Sequence, residues 1–531
     1  MLDAKHGSET GGSAHYNEQL SYRASNGLPF TEETLVKRII SIVMATALLV
    51  QASGCTVKKV QPVNTPNAIN PVTERIVGIT TKTGEQVSFQ PPGAVIQNGK
   101  LKAKVDNRDY EIAIEQVDRF WIERREPSAI RTIGLVAAIA VGTIAVTAVI
   151  IVATKESCPF VYSWDGRQYA FDAEPYGGAI TRGLERDDYS ELEQLVPDKG
   201  RYRLMIRNEV AETQYTNLME LMVADHTSDR VAMDDRGNVF PLSKVEPPTT
   251  AFDETGRDLL LWLKAADKRI WEPDPETNPE ASVRQEIRLS FPKPLSATNA
   301  KLVVNAGTSL WGSYMIKALS ELQGSGMEDW YASIDNNPLS LAALRAWSER
   351  EELFMLKIEV EESGSWVQRG MLLGGGPLVL EDRIVNLDVS RVTGDRLPIR
   401  IRPPKGFWAF NSFGVDYTPN QSVEVQVLHP IECRDASGRD RLAQVTAADG
   451  SYYDMPNIGE YGYVDFMVPA SKPGAKRTVF LHTRGYYRIH GDGSGQADNE
   501  AFGRIMTVPD AAARFAGLRF AAWQLEHGAR R

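Results

Sequence analysis

Residues 157–180 read SCPFVYSWDGRQYAFDAEPYGGAI, and this stretch decides the class of fold. Two aromatic-rich segments, FVYSW and YAFDA, flank Asp165-Gly166. An Asp-Gly pair between such segments is the strongest short hairpin signal, because the tight turn requires positive φ. The same pattern recurs downstream in RYRLMIRNE (201–209), NLMELMVADH (217–226), RQEIRLSFP (284–292), AKLVVNA (300–306), LFMLKIEVEE (353–362) and GPLVLED (376–382). It continues in RLPIRIRPP (396–404), SVEVQVLHP (422–430), YVDFMVP (463–469) and RTVFLHT (477–483). Short strands separated by turn residues predict a mainly β body made of two β-sandwiches. The Pro- and acid-rich WEPDPETNPE (271–280) suggests a boundary between a β domain at 157–272 and a sandwich-like domain at 281–505. Helical spacing appears in SLWGSYMIKALSELQG (309–324) and PLSLAALRAWSERE (338–351), expected as insertions in the second sandwich. A C-terminal helix is expected at 509–528, with Pro509 and Asp510 in its first turn and Gly528 at its end.

Upstream, residues 73–126 alternate in the strand manner, with turns at Thr83-Gly84 and Asp106-Asn107. They predict a small barrel-like or curled β module. Between the module and the body lies TIGLVAAIAVGTIAVTAVIIVAT (132–154), uncharged and flanked by Arg131 and Lys155. As a helix it would run about 34 Å, enough to cross a hydrocarbon core. One transmembrane helix is therefore expected over 131–154; the alternative is a buried helix of a soluble domain, which usually shows a polar stripe.

Residues 1–34 are polar and aperiodic, and are read as disordered or as a mis-assigned start. Residues 35–55, LVKRIISIVMATALLVQASGC, have the order of a secretory signal: Lys37 and Arg38, an apolar run, then small residues. Ala52-Ser53-Gly54-Cys55 resembles the lipobox of bacterial lipoproteins, with Ala52 where leucine is commonest. That resemblance implies cleavage before Cys55 and lipid attachment to it. Residues 56–72, Pro- and Asn-rich, are expected to form a tether. The stretch from 157 to 226 resembles a set of uncharacterised bacterial envelope proteins. It shares Ser157-Cys158-Pro159, Tyr162 with Trp164-Asp165-Gly166, Tyr176 to Ile180, and Glu212-Thr213 with Tyr215. The resemblance implies no activity. Together these features predict a membrane-anchored envelope protein with most of the chain extracytoplasmic. The flanking Arg119, Arg124, Arg125 and Arg131 favour a cytoplasmic position for the preceding segment and leave the direction of crossing open.

The net charge of -10 and the absence of a basic stripe set nucleic acid aside. No phosphate loop, nucleophile elbow or zinc-protease motif is present, so no catalytic residue, metal ligand or cofactor is assigned. Of the three cysteines, Cys158 and Cys433 are candidates for a disulfide or for two free thiols. His482 and His490 could meet across a turn, and Asp234-Asp235 with Asn238 reads as a tight turn. The candidate ligand-binding residues are aromatic and basic. Trp408, Phe410 and Tyr417 come from GFWAFNSFGVDY, and Arg484, Tyr486 and Tyr487 from HTRGYYRIH. Such residues stack on sugars or grip protein partners; in strands they also fill cores. The expected partners are a membrane and either a protein or a glycan.

Overall fold

The computed structural model describes residues 56–63, 74–127 and 159–528, apart from short interruptions at 84–85, 91, 98, 106–107, 421–422 and 492–494. The expected disordered start, signal, Cys55, Cys158 and transmembrane helix at 131–154 all lie outside the described residues. Among the described residues, no helix is long and apolar enough to cross a membrane.

In the N-terminal module, β1 (Thr56–Val63), β7 (Val117–Pro127), β2 (Glu74–Thr81) and β3 (Gln86–Ser88) form one antiparallel sheet in that order. A second sheet contains β4 (Val95–Gln97), β5 (Lys100–Val105) and β6 (Arg108–Ala113). Ile79, Val87, Leu101 and Phe120 meet in one apolar cluster, so the two small sheets share a core. Residues 56–63, expected as part of a tether, instead pair with β7 from Thr56 opposite Pro127 to Val63 opposite Phe120. Pro62 is tolerated because β1 is the edge strand.

The body is mainly β and is built from four further five-stranded sheets. Sheet I contains β10 (Arg186–Glu191), β27 (Lys476–Ile489), β12 (Glu212–His226) and β23 (Val425–Leu428), with β25 (Tyr453–Met455) also paired to β12. Sheet II runs β24 (Glu432–Asp435), β26 (Tyr461–Met467), β11 (Arg201–Arg207), β8 (Phe160–Trp164), β9 (Tyr169–Ala173). Alternation along these strands buries Leu204, Ile206, Val464 and Phe466 of sheet II against Met219, Leu221, Val223 and Leu481 of sheet I. That shared cluster makes the pair a sandwich.

Sheet III runs β14 (Val239–Leu242), β13 (Arg230–Asp234), β20 (Glu381–Asp388), β17 (Asn299–Thr308), β22 (Trp408–Asp416). Sheet IV runs β15 (Thr250–Asp253), β16 (Ile287–Pro292), β21 (Arg396–Ile401), β18 (Met355–Glu362), β19 (Ser365–Leu373). Leu302, Val304 and Phe410 from sheet III meet Leu289, Ile358 and Ile399 from sheet IV in the largest cluster.

The two sandwiches are nested. Every strand of sheets III and IV lies between β12 and β23, so the chain leaves the first sandwich, builds the second and returns. A linear division at 271–280 therefore does not match the strand pairing. β12 takes as its main partner β27, with Leu221 opposite Leu481.

Three helices, α1 (Leu310–Glu321), α2 (Met327–Asn336) and α3 (Pro338–Glu351), are inserted between β17 and β18. The Ser309 hydroxyl accepts from the Gly312 amide and starts α1. Asn337 caps α3 with Pro338 in its first turn, and Glu352 at φ 57 ends it. Two C-terminal helices follow, α4 (Asn499–Thr507) and α5 (Ala511–Gly528).

Candidate functional site

Burial divides the six residues singled out by sequence. Trp408 and Phe410 are 1% and 0% exposed, stacked on each other at 6.1 Å within the core of sheets III and IV. The Trp408 indole donates to the Glu352 carbonyl at 2.9 Å. Tyr487 is also fully buried, and its hydroxyl accepts from the Gly178 amide. These rings are core residues, with no surface left for a ligand; inward-facing strand positions of a sandwich take the largest apolar groups. Tyr417 is half-buried just beyond β22. Arg484 and Tyr486 share a face, the outer side of sheet I, where Arg484 is half-buried and Tyr486, 5% exposed, is covered by neighbouring rings.

That outer face carries a polar row. Tyr189, His482 and Glu220 are direct cross-strand neighbours on β10, β27 and β12. The His482 ring stacks on Tyr189 at 4.6 Å. Its Nε2 lies 3.0 Å from Asp187 Oδ1 and its Nδ1 3.0 Å from Glu220 Oε2. Glu220 also bonds His429 at 2.9 Å, and Arg484 bonds Asp187 at 3.0 Å. Burial opposes the imidazolium charge, but hydrogen bonds to Asp187 and Glu220 outweigh it and push His482 up to about 9. With both ring nitrogens donating to carboxylates, His482 is a fixed cation at neutral pH and has no free lone pair for general-base work. It does not approach His490, whose ring meets the Thr213 hydroxyl at 2.8 Å.

The signs give a testable pH dependence. A histidine whose pKa is raised on folding contributes stability below about 6.5, and this is lost as pH rises through about 9. After discounting for partial exposure, about 1–2 kcal/mol should disappear across that window. Urea unfolding at pH 6 and pH 9.5 should show this difference in the wild type and a smaller one in His482→Gln.

Further along the same face, the Tyr215 and Tyr486 rings stack at 4.5 Å, and Tyr452 stands edge-on to both. Arg488 beside them bonds Asp335 of α2. A β-bulge between Thr216 and Leu218 keeps Tyr215, Glu220 and their β27 partners on one side. Gly485 lies opposite Thr216; a Cβ there would meet the Tyr215 carbonyl at 2.3 Å and the Tyr176 ring at 2.8 Å. Gly485→Ala should therefore cost about 1–3 kcal/mol in denaturant unfolding, as overpacking against backbone does.

The deepest charges lie where the sandwiches join. Asp188 accepts from the Tyr176 and Tyr189 amides at 3.0 Å each, and pairs with Arg186 at 2.6 Å and Arg383 at 3.3 Å. Arg383 also pairs with Glu381 at 3.0 Å. Burial alone would raise Asp188, yet the two guanidinium groups hold it below the usual carboxylate range. Burial pushes Glu381 up. Glu174 accepts from the Leu378 and Val379 amides, closing the loop that follows Gly374-Gly375-Gly376. A Cβ on Gly177 would meet the Gly374 and Gly375 carbonyls at 3.1 and 3.2 Å. The YGGAI motif is thus the first sandwich's contact with a glycine loop of the second. This cluster ties two folded bodies together, and its groups are engaged with one another.

Cys433 is buried in the first sandwich's core, where burial pushes its thiol up to about 12, so it behaves as an inert apolar residue. Asp234 caps a tight turn by accepting from the Arg236 and Asn238 amides. Among the described residues no His, Cys, Asp and Glu group is arranged to hold a metal ion. Sequence reading missed His482, Glu220, Tyr215 and Tyr452 as one face because they come from three separate segments. Their only sequence signal is a polar or aromatic residue at alternate strand positions. No family model matches this chain, and no curated protein is significantly similar to it.

Proposed function

We propose that this protein is a membrane-anchored cell-envelope lipoprotein whose β-rich modules serve binding or assembly rather than catalysis. The observation that carries the reading is the order of residues 35–55: two cations, a short apolar run, then Ala52-Ser53-Gly54-Cys55. Acyl chains on Cys55 would contribute roughly 0.8 kcal/mol per buried CH₂, enough in combination for firm anchoring. The apolar segment 132–154 adds a second membrane element, and the body beyond it is held outside the cytoplasm. The mutual pairing of the carboxylates, His482 and arginines described above supports a structural and binding role.

Radiolabelled palmitate should enter the full-length protein in bacteria and be lost in Cys55→Ala. An unlabelled wild-type chain, or equal label in both, would remove the lipoprotein reading. Protease added to intact spheroplasts should cleave within residues 155–531; complete protection in an inner-membrane protein would reverse the orientation.

A second reading is surface carbohydrate binding, favoured by the partly buried rings of Tyr215 and Tyr452 beside Arg484 and Arg488. Glycan-array binding that is lost in Tyr452→Ala would support it.

A further inference from the structure

The two sandwiches share a connectivity that nesting alone does not require. Sheet II, in the order β24-β26-β11-β8-β9, matches sheet IV, β15-β16-β21-β18-β19, strand for strand, and every pairing is antiparallel. In sheet I, β10-β27-β12-β23 matches β20-β17-β22 of sheet III, where Glu246 bridges Val415 at the place of β23. The bulges coincide as well. The β8–β9 register shifts between Val161 and Tyr162, and the β18–β19 register between Ile358 and Glu359. Asn217 of β12 and Asn411 of β22 are each skipped in the ladder. β13 and β14 have no counterpart.

The sequence carries the same equivalence. Residues 253–267, DETGRDLLLWLKAAD, and 435–449, DASGRDRLAQVTAAD, align without a gap and agree at eight of fifteen positions. Composition alone predicts about one agreement. Each segment leaves an edge strand, β15 or β24, and folds in the same way. The Asp253 carboxylate accepts from the Thr255 amide and hydroxyl and from the Arg257 amide; Asp435 accepts from the Ser437 amide and hydroxyl and from the Arg439 amide. Asp258 and Asp440 then accept from the amides of Leu260 and Leu442, which open one-turn helices. Just past each segment, the Lys268 and Gly450 amides donate to the side chains of Asn411 and Asn217, both at 3.1 Å. Lys268 and Gly450 both have positive φ, 66 and 84. The two accepting asparagines are the buried bulge residues.

We infer that residues 159–489 hold one folding unit twice, with halves exchanged between the copies. The first copy runs from β8 to β17 and the second from β18 to β27. The first sandwich joins β8 to β12 of the first copy with β23 to β27 of the second; the other sandwich joins β13 to β17 with β18 to β22. The body is the single-chain counterpart of a domain-swapped dimer. At the junction, residues meet their own counterparts, as they do only near a two-fold axis. The ladders put Asp188 and Arg383 at equivalent positions, and these pair at 3.3 Å. Gly177 and Gly374 are equivalent too, through Ala173 and Gly370, and a Cβ on Gly177 would meet the Gly374 carbonyl. The exchange interlocks the copies, because neither can leave without opening both sandwiches. It also separates scaffold from specialisation. At the places of Tyr189, His482 and Glu220, sheet III has Ile384, Val303 and Gly414, with Phe240 and Val245 packed against them. The polar row of sheet I belongs to the first sandwich alone.

Transplanting one copy's segment into the other, in the full-length protein in detergent, tests the equivalence. Residues 435–449 are replaced by the sequence of 253–267. The expected product keeps its circular dichroism and a single guanidinium transition despite seven substitutions. The sequence of 254–268 in the same place, one residue out of register, should lose both. A second in-register version retains Val445, the one buried position at which the segments differ, and so separates overpacking from misalignment. If both in-register versions fare no better than the shifted one, the duplication is overturned. A protease site inserted between Asn336 and Asn337, exposed in the helical link between the copies, tests the exchange. After cleavage the pieces should stay at one-chain mass in gel filtration and part only in denaturant. Pieces that separate without denaturant overturn the exchange.

Discussion

Asp188→Ala is expected to be the most damaging single substitution in the body, lowering unfolding free energy by about 3–5 kcal/mol. Asp188 is 3% exposed and is shared by Arg186 and Arg383, neither of which can shed its charge. Removing it takes away the carboxylate that two guanidinium groups share, leaving Arg383 with Glu381 and Arg186 with the Gly374 carbonyl, and strips the Tyr176 amide of its acceptor. Tyr176 is itself held at φ 70, a conformation disfavoured for a bulky side chain, with its ring fully buried. Guanidinium unfolding should show a lower midpoint, and limited proteolysis should open the 174–184 and 374–380 loops. Asp188→Asn retains the shape and one acceptor, and should lose less. The sign with pH follows from the depressed pKa of Asp188. Its contribution is present above the ordinary carboxylate range and is lost as pH falls below it. The wild type and the Asp188→Ala variant should therefore converge in acid.

Trp408→Ala should cost about 3–5 kcal/mol, because it empties a large volume in a packed core. The indole is 1% exposed and packs with Phe410, and its N–H is matched to the Glu352 carbonyl at the C-terminal end of α3. The loss should appear in thermal and denaturant unfolding of the whole body. A variant that kept full stability while losing binding to a glycan would overturn this placement of the ring. Trp408→Phe, which keeps most of the volume and forgoes the hydrogen bond, should recover part of the loss.

The contrast between Trp408 and Tyr463 shows how far sequence could reach. Both sit on strands among apolar neighbours, in GFWAFNSFG and YGYVDFMVP. Alternation says that one set of side chains faces each way, but not which way is inward. On β26, Val464 and Phe466 take the core and leave Tyr461, Tyr463 and Met467 outside. On β22 almost the whole strand is buried, because the sheet carries neighbours on both faces. The local density of aromatics pointed to β22 as a binding segment; burial moves attention to sheet I. Arg484 and Tyr486 lie on the outer side of sheet I, Tyr486 buried there, but their companions Glu220, Tyr215 and Tyr452 come from segments separated from them by 32 to 271 residues in the chain.

By itself the sequence determined the local elements. Asp165-Gly166 makes its turn with the Asp165 carboxylate accepting from the Arg167 and Gln168 amides and Gly166 at φ 94. The helices expected at 309–324, 338–351 and 509–528 form at Leu310–Glu321, Pro338–Glu351 and Ala511–Gly528. These are decided within a few residues by capping, turn chemistry and periodicity, so they are written locally. Only the tertiary structure decided that β12 would pair with β27 across some 250 intervening residues, enclosing one sandwich within the sequence of the other. Strand pairing is chosen by which apolar faces bury each other, and nothing in a strand's own composition names its partner. The same global choice set the fate of the charges: Asp187 and Asp188 are adjacent in sequence, and the pleat sends one to His482 on the outer face and the other to Arg383 in the junction.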